Sequence, residues 1–158
     1  MSTALDPDTF GRESPCFGCS PTHPTGFHLH FAREDDAVTT RFVPGPEHQG
    51  PPGVMHGGLV MTLADELAAW TVIGLRDRFG FTASVEARLR LPVRVGVEVL
   101  GRGAILRDAS RVLKVATTLT QSGEVAFEGT FNFVLLDQSG AERLLDAPLP
   151  EAWKRFCR

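Results

Sequence analysis

The residues of this chain best suited to chemistry are His56, Gly57 and Gly58, with an acid, Asp65, nine positions after the histidine. From position 59 to 75 the sequence is apolar except for two threonines and two acids. A helix that is hydrophobic on every side is a buried helix, and a buried carboxylate without partners is costly or becomes protonated. We therefore expect Asp65 to be a catalytic acid, the alternative being a structural carboxylate paired with an arginine from another strand.

A long helix and a series of strands must hold these residues in place. The segment 44–53 is too rich in proline and glycine for a regular element, and it leads into a helix that starts near His56 and ends between Gly74 and Gly80. Alternating apolar and polar residues predict strands on both sides of it. The predicted strands are 27–31, 38–43, 83–91, 97–106, 111–121 and 124–136, with tight turns at 108–110 and 122–123. A short helix after Pro150 would close the chain.

This pattern predicts an α+β protein in which a curved antiparallel sheet wraps one long central helix. We expect a single domain over residues 1–158, with an irregular lead-in at 1–26 and a C-terminal tail at 137–158. A single sheet hides a helix only by curling around it, and even then one stripe of the helix stays open. A second copy of the chain could cover that stripe, so we expect a homodimer, with further assembly into a homotetramer as a dimer of dimers.

The composition is that of an ordinary globular protein, with 42% hydrophobic and 22% charged residues. A net charge of −3 and a pI near 5.9 argue against binding to nucleic acid. The apolar run at 59–75 is short for a membrane span and carries two acids, so we expect no membrane insertion. The first residues lack the form of a signal peptide, and three cysteines, an odd number, fit a reducing compartment, so we expect a cytoplasmic location.

Four segments of the chain carry motifs in a fixed order. They are Cys16-Phe17-Gly18-Cys19-Ser20-Pro21 with Thr25-Gly26-Phe27-His28-Leu29-His30-Phe31, then Gln49-Gly50-Pro51-Pro52-Gly53-Val54-Met55-His56-Gly57-Gly58, then Thr62-Leu63-Ala64-Asp65, then Thr82-Ala83-Ser84-Val85 through Pro92-Val93 and Gly96. In this order and spacing they resemble the hot-dog-fold acyl-CoA thioesterases, in particular the branch of phenylacetate-pathway and THEM-type enzymes. The resemblance implies the hot-dog fold, hydrolysis of acyl-CoA to free acid and coenzyme A, and no cofactor beyond the coenzyme A of the substrate.

Hydrolysis of a thioester passes through a tetrahedral oxyanion, so its site needs N–H donors for the carbonyl oxygen and a base for water. The backbone N–H groups of Gly57 and Gly58, at the positive end of the helix dipole, are the expected donors; the alternative is that the two glycines only permit a tight turn. Asp65 falls where the resembling family keeps its catalytic acid. Its role as general base or as nucleophile is open.

Four further residues are candidates for a place in or near the site. Thr82 resembles the hydroxyl residue that holds the attacking water in relatives, with a plain strand threonine as the alternative. Relatives often have an asparagine where this chain has Gly50, so Gln49 is the nearest carboxamide for the thioester carbonyl, or it only solvates the loop. We expect His56 to fix the loop by hydrogen bonding, and Glu66, about 100° around the helix from Asp65, to be structural or at the edge of the site.

Two groups of residues could bind ions. Cys16 and Cys19 have zinc-ligand spacing and three histidines follow closely, but there is no second cysteine pair, and this pair occurs in relatives without implying metal. We therefore expect no metal site. Seven basic residues are candidates for the coenzyme A phosphates, and a solvated sheet face would look the same: Arg88, Arg90, Arg94, Arg102, Arg107, Arg111 and Lys114.

Two other functions stay open on the sequence alone, a non-catalytic acyl-CoA-binding module and an acyl-thioester hydratase of the same fold. A binding module gains nothing from burying Asp65, and a hydratase normally pairs an acid with an active-site histidine, which this helix lacks. Gly58 and Asp65 are about 10.5 Å apart along a helix axis, so one carbonyl cannot reach both. We therefore expect two subunits to share each site. The acyl group, and the choice between coenzyme A and acyl carrier protein, are open.

Overall fold

The computed structural model of the chain describes residues 1–158 and contains seven β-strands, two α-helices and two short 3-10 helices. The strands are β1 Ser2–Ala4, β2 Phe31–Glu34, β3 Ala37–Phe42, β4 Gly80–Leu89, β5 Val99–Ala109, β6 Val112–Gln121 and β7 Glu124–Leu135. The α-helices are α1 Gly57–Arg76 and α2 Gln138–Leu145, and the 3-10 helices are Pro46–His48 and Glu151–Phe156.

All seven strands form one antiparallel sheet in the order β1-β2-β3-β5-β6-β7-β4. Turn chemistry sets the register of the β6–β7 hairpin, because Ser122 and Gly123 both have positive φ and close the two-residue turn that pairs Gln121 with Glu124. The sheet packs its inner face, including Phe131, against α1 in one continuous core. The predicted architecture, one long helix against an antiparallel sheet, is confirmed.

Local chemistry sets both ends of α1. His56 is its N-cap, and Asp77 ends it in the left-handed conformation, with φ 52° and its N–H donated to the Ile73 carbonyl. By length and composition alone this helix could cross a membrane. However, the sheet packs against it and half of its apolar stretch is buried, so we interpret it as the core helix of the fold.

Strand β4 is the last strand of the sheet and has a neighbour, β7, on one side only. The alternation of apolar and polar residues predicts that one face of β4 is exposed to solvent and the other is buried. In the structure both faces are exposed, and the apolar side chains of Phe81, Val85 and Leu89 are 49%, 38% and 52% exposed. The stripe of α1 that includes Gly58 and Asp65 is also incompletely covered. An edge strand with exposed apolar side chains is a template for pairing with another chain.

Residues 27–31 alternate between buried and exposed positions, but the predicted strand there is wrong for residues 27–30. His28 adopts the left-handed conformation, with φ 51°, and the Leu29 N–H donates to the Gly18 carbonyl in the lead-in. Sheet pairing starts only at Phe31. The alternation identifies the inward side chains, whereas the backbone partner lies in a segment without any periodic pattern.

Both chain ends contain more structure than predicted. The lead-in includes β1, which extends the sheet beside β2. The tail includes α2, whose N-cap Asp137 accepts a hydrogen bond from the Gly140 N–H, and whose Ala141 packs with Leu149 and Cys157 in a small second core. The predicted helix after Pro150 is present in 3-10 form.

Candidate functional site

The centre of the candidate site is the carboxylate of Asp65 on α1. Thr82, near the start of β4, donates a hydrogen bond from Oγ1 to Asp65 Oδ1 at 2.8 Å. The pairing of β4 with β7 shifts register between Thr82 and Ser84, and such a bulge re-aims side chains. Burial raises the pKa of Asp65 above its usual value, and the hydrogen bond from Thr82 opposes part of that rise. A partly buried carboxylate with a raised pKa is suited to accept a proton.

The start of α1 offers one free backbone donor, at Gly57. The Gly58 N–H is donated to His56 Nδ1 at 3.0 Å, and the N–H groups of Leu59 and Val60 are donated to the His56 carbonyl. The Gly57 N–H has no acceptor four residues back in the helix and is left unpaired. This arrangement favours Gly57 over Gly58 as the oxyanion donor, because the histidine that caps the helix already accepts the Gly58 N–H.

The side chain of Gln49 is held inside its own loop. Its Nε2 donates to the Pro46 carbonyl at 2.9 Å, and its Oε1 accepts from the Gly53 N–H at 2.6 Å. Both ends of the carboxamide thus bind backbone of the segment that leads into α1. This arrangement favours a loop-forming role for Gln49 over the expected contact with a carbonyl.

An apolar groove of about 360 Å³ is lined in part by Gly57. It lies between the loop before α1 and the end of β4, and its walls are Pro51, Val54, Met55, Val60, Leu89, Arg90, Leu91, Pro92 and Val93. A larger depression of about 670 Å³ lies across β1, β2, β3, β5 and β6 and contains neither Gly57 nor Asp65. We therefore choose the smaller groove because it lies beside Gly57, and not for its volume. Its apolar walls suit an apolar chain.

A second cluster of reactive groups surrounds Glu66, the neighbour of Asp65 in α1. Cys16 Sγ donates to Glu66 Oε1 at 3.5 Å and lies 3.1 Å from Cys19 Sγ. Burial, with a further contribution from Cys16, raises the pKa of Glu66 to about 8. The sequence did not predict this contact across fifty residues. The one local signal is Gly18, where a Cβ would overlap the Glu66 side chain.

The geometry of this cluster is a poor match for zinc. Its ligand atoms, from Cys16, Cys19 and Glu66, lie within 4.8 Å of one another, but they supply three donors and not four. Two thiolates on one zinc are about 3.8 Å apart, given tetrahedral bonds of about 2.3 Å. The Sγ atoms of Cys16 and Cys19 are closer than this, at 3.1 Å. One ring nitrogen of each nearby histidine is used elsewhere: His23 Nδ1 accepts from the Thr25 N–H, and His28 Nε2 contacts the His23 carbonyl. These contacts favour our expectation that the protein binds no metal.

We expect a strong chelator to leave the melting temperature unchanged, because no bound metal contributes to the free energy of unfolding. The measurement is thermal unfolding with and without EDTA, together with the metal content of the purified protein. Stoichiometric zinc that is lost, with stability, when Cys16 and Cys19 are both replaced by serine would contradict this expectation.

Comparison with known proteins adds a family context to this geometry. A family model of the thioesterase superfamily matches residues 52–126, which include α1 and the strands β4 to β6. No curated protein sequence gives a significant match.

Three crystal structures illustrate the similarity in fold. A thioesterase superfamily protein matches with a TM-score of 0.71 and 20% identity, over 83% of this chain and 66% of that one. A Streptococcus mutans protein bound to acetyl CoA matches with a TM-score of 0.63 and 18% identity, over 68% and 87% of the two chains. Zebrafish thioesterase superfamily member 2 matches with a TM-score of 0.63 and 16% identity, over 68% and 80%. At these identities the similarity shows a shared fold.

Proposed function

We propose that this chain, which has the hot-dog fold, belongs to the thioesterase superfamily and hydrolyses acyl-CoA thioesters to the free acid and coenzyme A. The observation that carries the proposal is the Asp65 carboxylate, oriented at 2.8 Å by Thr82 in a partly buried position. Its raised pKa suits a general base, and the free N–H of Gly57 suits an oxyanion. A structure of the same fold with acetyl CoA bound supports the substrate class.

In the proposed reaction, Asp65 takes a proton from a water molecule whose oxygen attacks the thioester carbonyl carbon. The carbonyl oxygen becomes an oxyanion, which the Gly57 N–H and the N-terminal end of the α1 dipole stabilise. The carbon–sulfur bond then breaks and coenzyme A leaves as a thiolate. This thiolate takes the proton that Asp65 holds. In the alternative route Asp65 attacks the carbonyl carbon itself, and water opens the resulting anhydride.

The groove beside Gly57 is proposed to hold the acyl chain, since its walls are almost entirely apolar. Of the basic residues proposed for the coenzyme A phosphates, Arg90 and Arg102 already pair with Glu128 and Asp36. The candidates that form no ion pair are Arg88, Arg94, Arg107, Arg111 and Lys114. We propose that no cofactor beyond the substrate's own coenzyme A takes part.

Two rival functions make different use of the same site. A non-catalytic acyl-CoA-binding module would gain nothing from a desolvated Asp65, because burial of an ionised carboxylate costs free energy. A hydratase would need a histidine to act with the acid, whereas His56 uses Nδ1 to cap α1. Both observations favour hydrolysis.

The proposed function is tested by incubating the purified protein with acyl-CoAs of increasing chain length and with aryl-CoAs, and measuring release of the free coenzyme A thiol. We expect continuous thiol release with at least one of these substrates. Tight binding without thiol release across the whole panel would support the binding module instead.

We propose further that the active unit is a homodimer with shared sites. Gly57 and Asp65 are eight residues apart, or about 12 Å along the helix axis, so a single carbonyl cannot contact both within one chain. Two α1 helices packed antiparallel across a two-fold axis would bring Gly57 of one copy to Asp65 of the other. The exposed apolar edge at β4 supports such an association.

A shared site predicts complementation between two inactive subunits, one with Asp65→Asn and one with Gly57→Pro, which removes the N–H. A mixed dimer then contains one intact site and one doubly damaged site. Because random assembly makes half of the dimers mixed, co-expression should restore about a quarter of wild-type turnover. The measurement is thiol release by the unfractionated mixture, where about a quarter is expected, and by mixed dimers isolated through a different tag on each subunit, where about a half is expected. Mixed dimers that stay inactive, although both variants fold and dimerise, would refute the shared site.

The raised pKa of Asp65 predicts an acidic limb in the pH profile. A general base works only when ionised, so turnover should fall as the pH drops through the Asp65 pKa, at a higher pH than for an exposed aspartate. Thr82→Val removes a hydrogen bond that favours the carboxylate, so it should move this limb to still higher pH, whereas Thr118→Val on β6 should not move it. The measurement is kcat against pH, and a limb that Thr82→Val leaves in place would contradict the assignment.

A further inference from the structure

We propose that Cys16 and Cys19 form a redox-active dithiol that closes reversibly to a disulfide, with Cys16 as the attacking thiolate and Glu66 as the group that holds its proton. The proposed hydrolysis uses none of these three side chains. They lie together where the lead-in turn of residues 16–20 packs on α1.

The backbone already holds the two sulfurs in position for a bond. The Ser20 N–H donates to the Cys16 carbonyl at 3.2 Å and closes the turn, and the two Sγ atoms are 3.1 Å apart as free thiols. A disulfide bond is about 2.05 Å long, so closure needs a movement of about 1 Å. Both cysteines lie in this turn, outside every helix and strand of the fold.

The surroundings of Cys16 stabilise a thiolate. The Cys19 thiol and the Cys19 N–H both donate to Cys16 Sγ, and together they lower the pKa of Cys16 to about 5, although burial opposes the change. The same pairing, with burial, raises the pKa of Cys19. Because burial holds the pKa of Glu66 at about 8, its carboxyl keeps the proton at neutral pH beside a Cys16 thiolate.

The two cysteines differ in access, which gives them different roles. Within the turn, Cys16 is partly exposed, while Cys19 is only 7% exposed. A soluble oxidant therefore meets Cys16 first, and Cys19 resolves the intermediate. Cys157, the third cysteine, is buried in the second core, and burial raises its pKa, so it serves as an internal control.

With glutathione disulfide as the oxidant, each step balances. The Cys16 thiolate attacks one glutathione sulfur, a mixed disulfide forms, and one glutathione leaves as a thiolate. That glutathione thiolate takes the proton that Glu66 holds. Cys19 then gives its own proton to the Glu66 carboxylate and attacks Cys16 Sγ, and the second glutathione leaves and takes that proton from Glu66. The net reaction converts one protein dithiol and one glutathione disulfide into one protein disulfide and two reduced glutathiones.

In the test, the folded protein is equilibrated in glutathione buffers from fully reduced to fully oxidised and then quenched with an alkylating agent. Intact-protein mass spectrometry then counts the alkylated thiols and any bound glutathione. We expect the wild type to pass from three free thiols to one, and the Cys157→Ser variant to pass from two to none. Cys19→Ser should trap glutathione on Cys16, because the resolving thiol is gone. Cys16→Ser should acquire no glutathione on Cys19 over the same time.

Circular dichroism is used to check that each variant is folded. In folded protein, three outcomes would overturn the proposal. They are retention of all three thiols in every buffer, preferential glutathionylation of Cys19, and a bound metal that protects both thiols until a chelator is added. The readout is a thiol count, so each of these results leaves the proposed hydrolysis standing.

Discussion

Asp65→Asn is expected to lower acyl-CoA turnover by about 10²- to 10⁴-fold, the usual contribution of a general base. The amide keeps the shape of the side chain and can still meet Thr82, but it cannot take a proton from water. The melting temperature at neutral pH should rise or stay unchanged. Because burial raises the Asp65 pKa in the folded state, the ionised form destabilises that state above this pKa, and asparagine removes the charge.

The matched control is Glu66→Gln, which makes the same chemical change one position along α1. Its side chain contacts Cys16 and lies about 100° around the helix from Asp65, so most of the turnover should remain. The measurement is kcat by thiol release, with thermal unfolding of each variant. Near-wild-type turnover in homogeneous Asp65→Asn, or an equal loss of turnover in Glu66→Gln, would contradict the assignment of Asp65 as the general base.

The second large effect is expected from Gly57→Pro, which should lower kcat by about 10²- to 10³-fold, the contribution of one oxyanion donor. Proline deletes the N–H at the first position of α1, where its ring fits helical geometry and where the N–H has no helical acceptor. His56 before it is already extended, with φ −58° and ψ 131°, as a residue before proline must be. The helix should therefore form normally.

Gly57→Ala is the control, because it adds a Cβ but keeps the N–H. In both variants the added Cβ meets Leu89 Cδ2 at 3.3 Å, a contact that a flexible side chain can relieve. Alanine should therefore retain most of the turnover. If alanine loses as much as proline, crowding of the groove explains the effect and the N–H does not.

The parts of this fold that the sequence predicts are those set by local patterns. Alternation along β5, β6 and β7 predicts three long strands to within a few residues, and the turn at Ser122 and Gly123 sets one register. The uniformly apolar stretch around Asp65 predicts a core helix. The resemblance of Thr82 to a family position places it near the acid, and the two side chains meet across seventeen residues.

The features that the sequence could not predict depend on contacts between distant segments. The contact of Glu66 with Cys16 depends on a lead-in that has no periodic pattern. The choice between Gly57 and Gly58 as donor depends on the side-chain orientation of His56, which composition does not specify. The exposure of both faces of β4 follows from its place at the end of the sheet. An alternating pattern predicts that a segment is a strand, but it does not predict the order of strands in the sheet.

The central claim is that water attacks a thioester carbonyl under the control of Asp65. The most direct test supplies an enoyl-CoA and its saturated counterpart in water enriched in ¹⁸O, and analyses the products of wild type and Asp65→Asn by mass spectrometry. We predict equal amounts of coenzyme A and free acid, with ¹⁸O in the acid and both products nearly lost in the variant. Conversion of the enoyl-CoA to a hydroxyacyl-CoA with its thioester intact, or recovery of both substrates unchanged, would contradict the account.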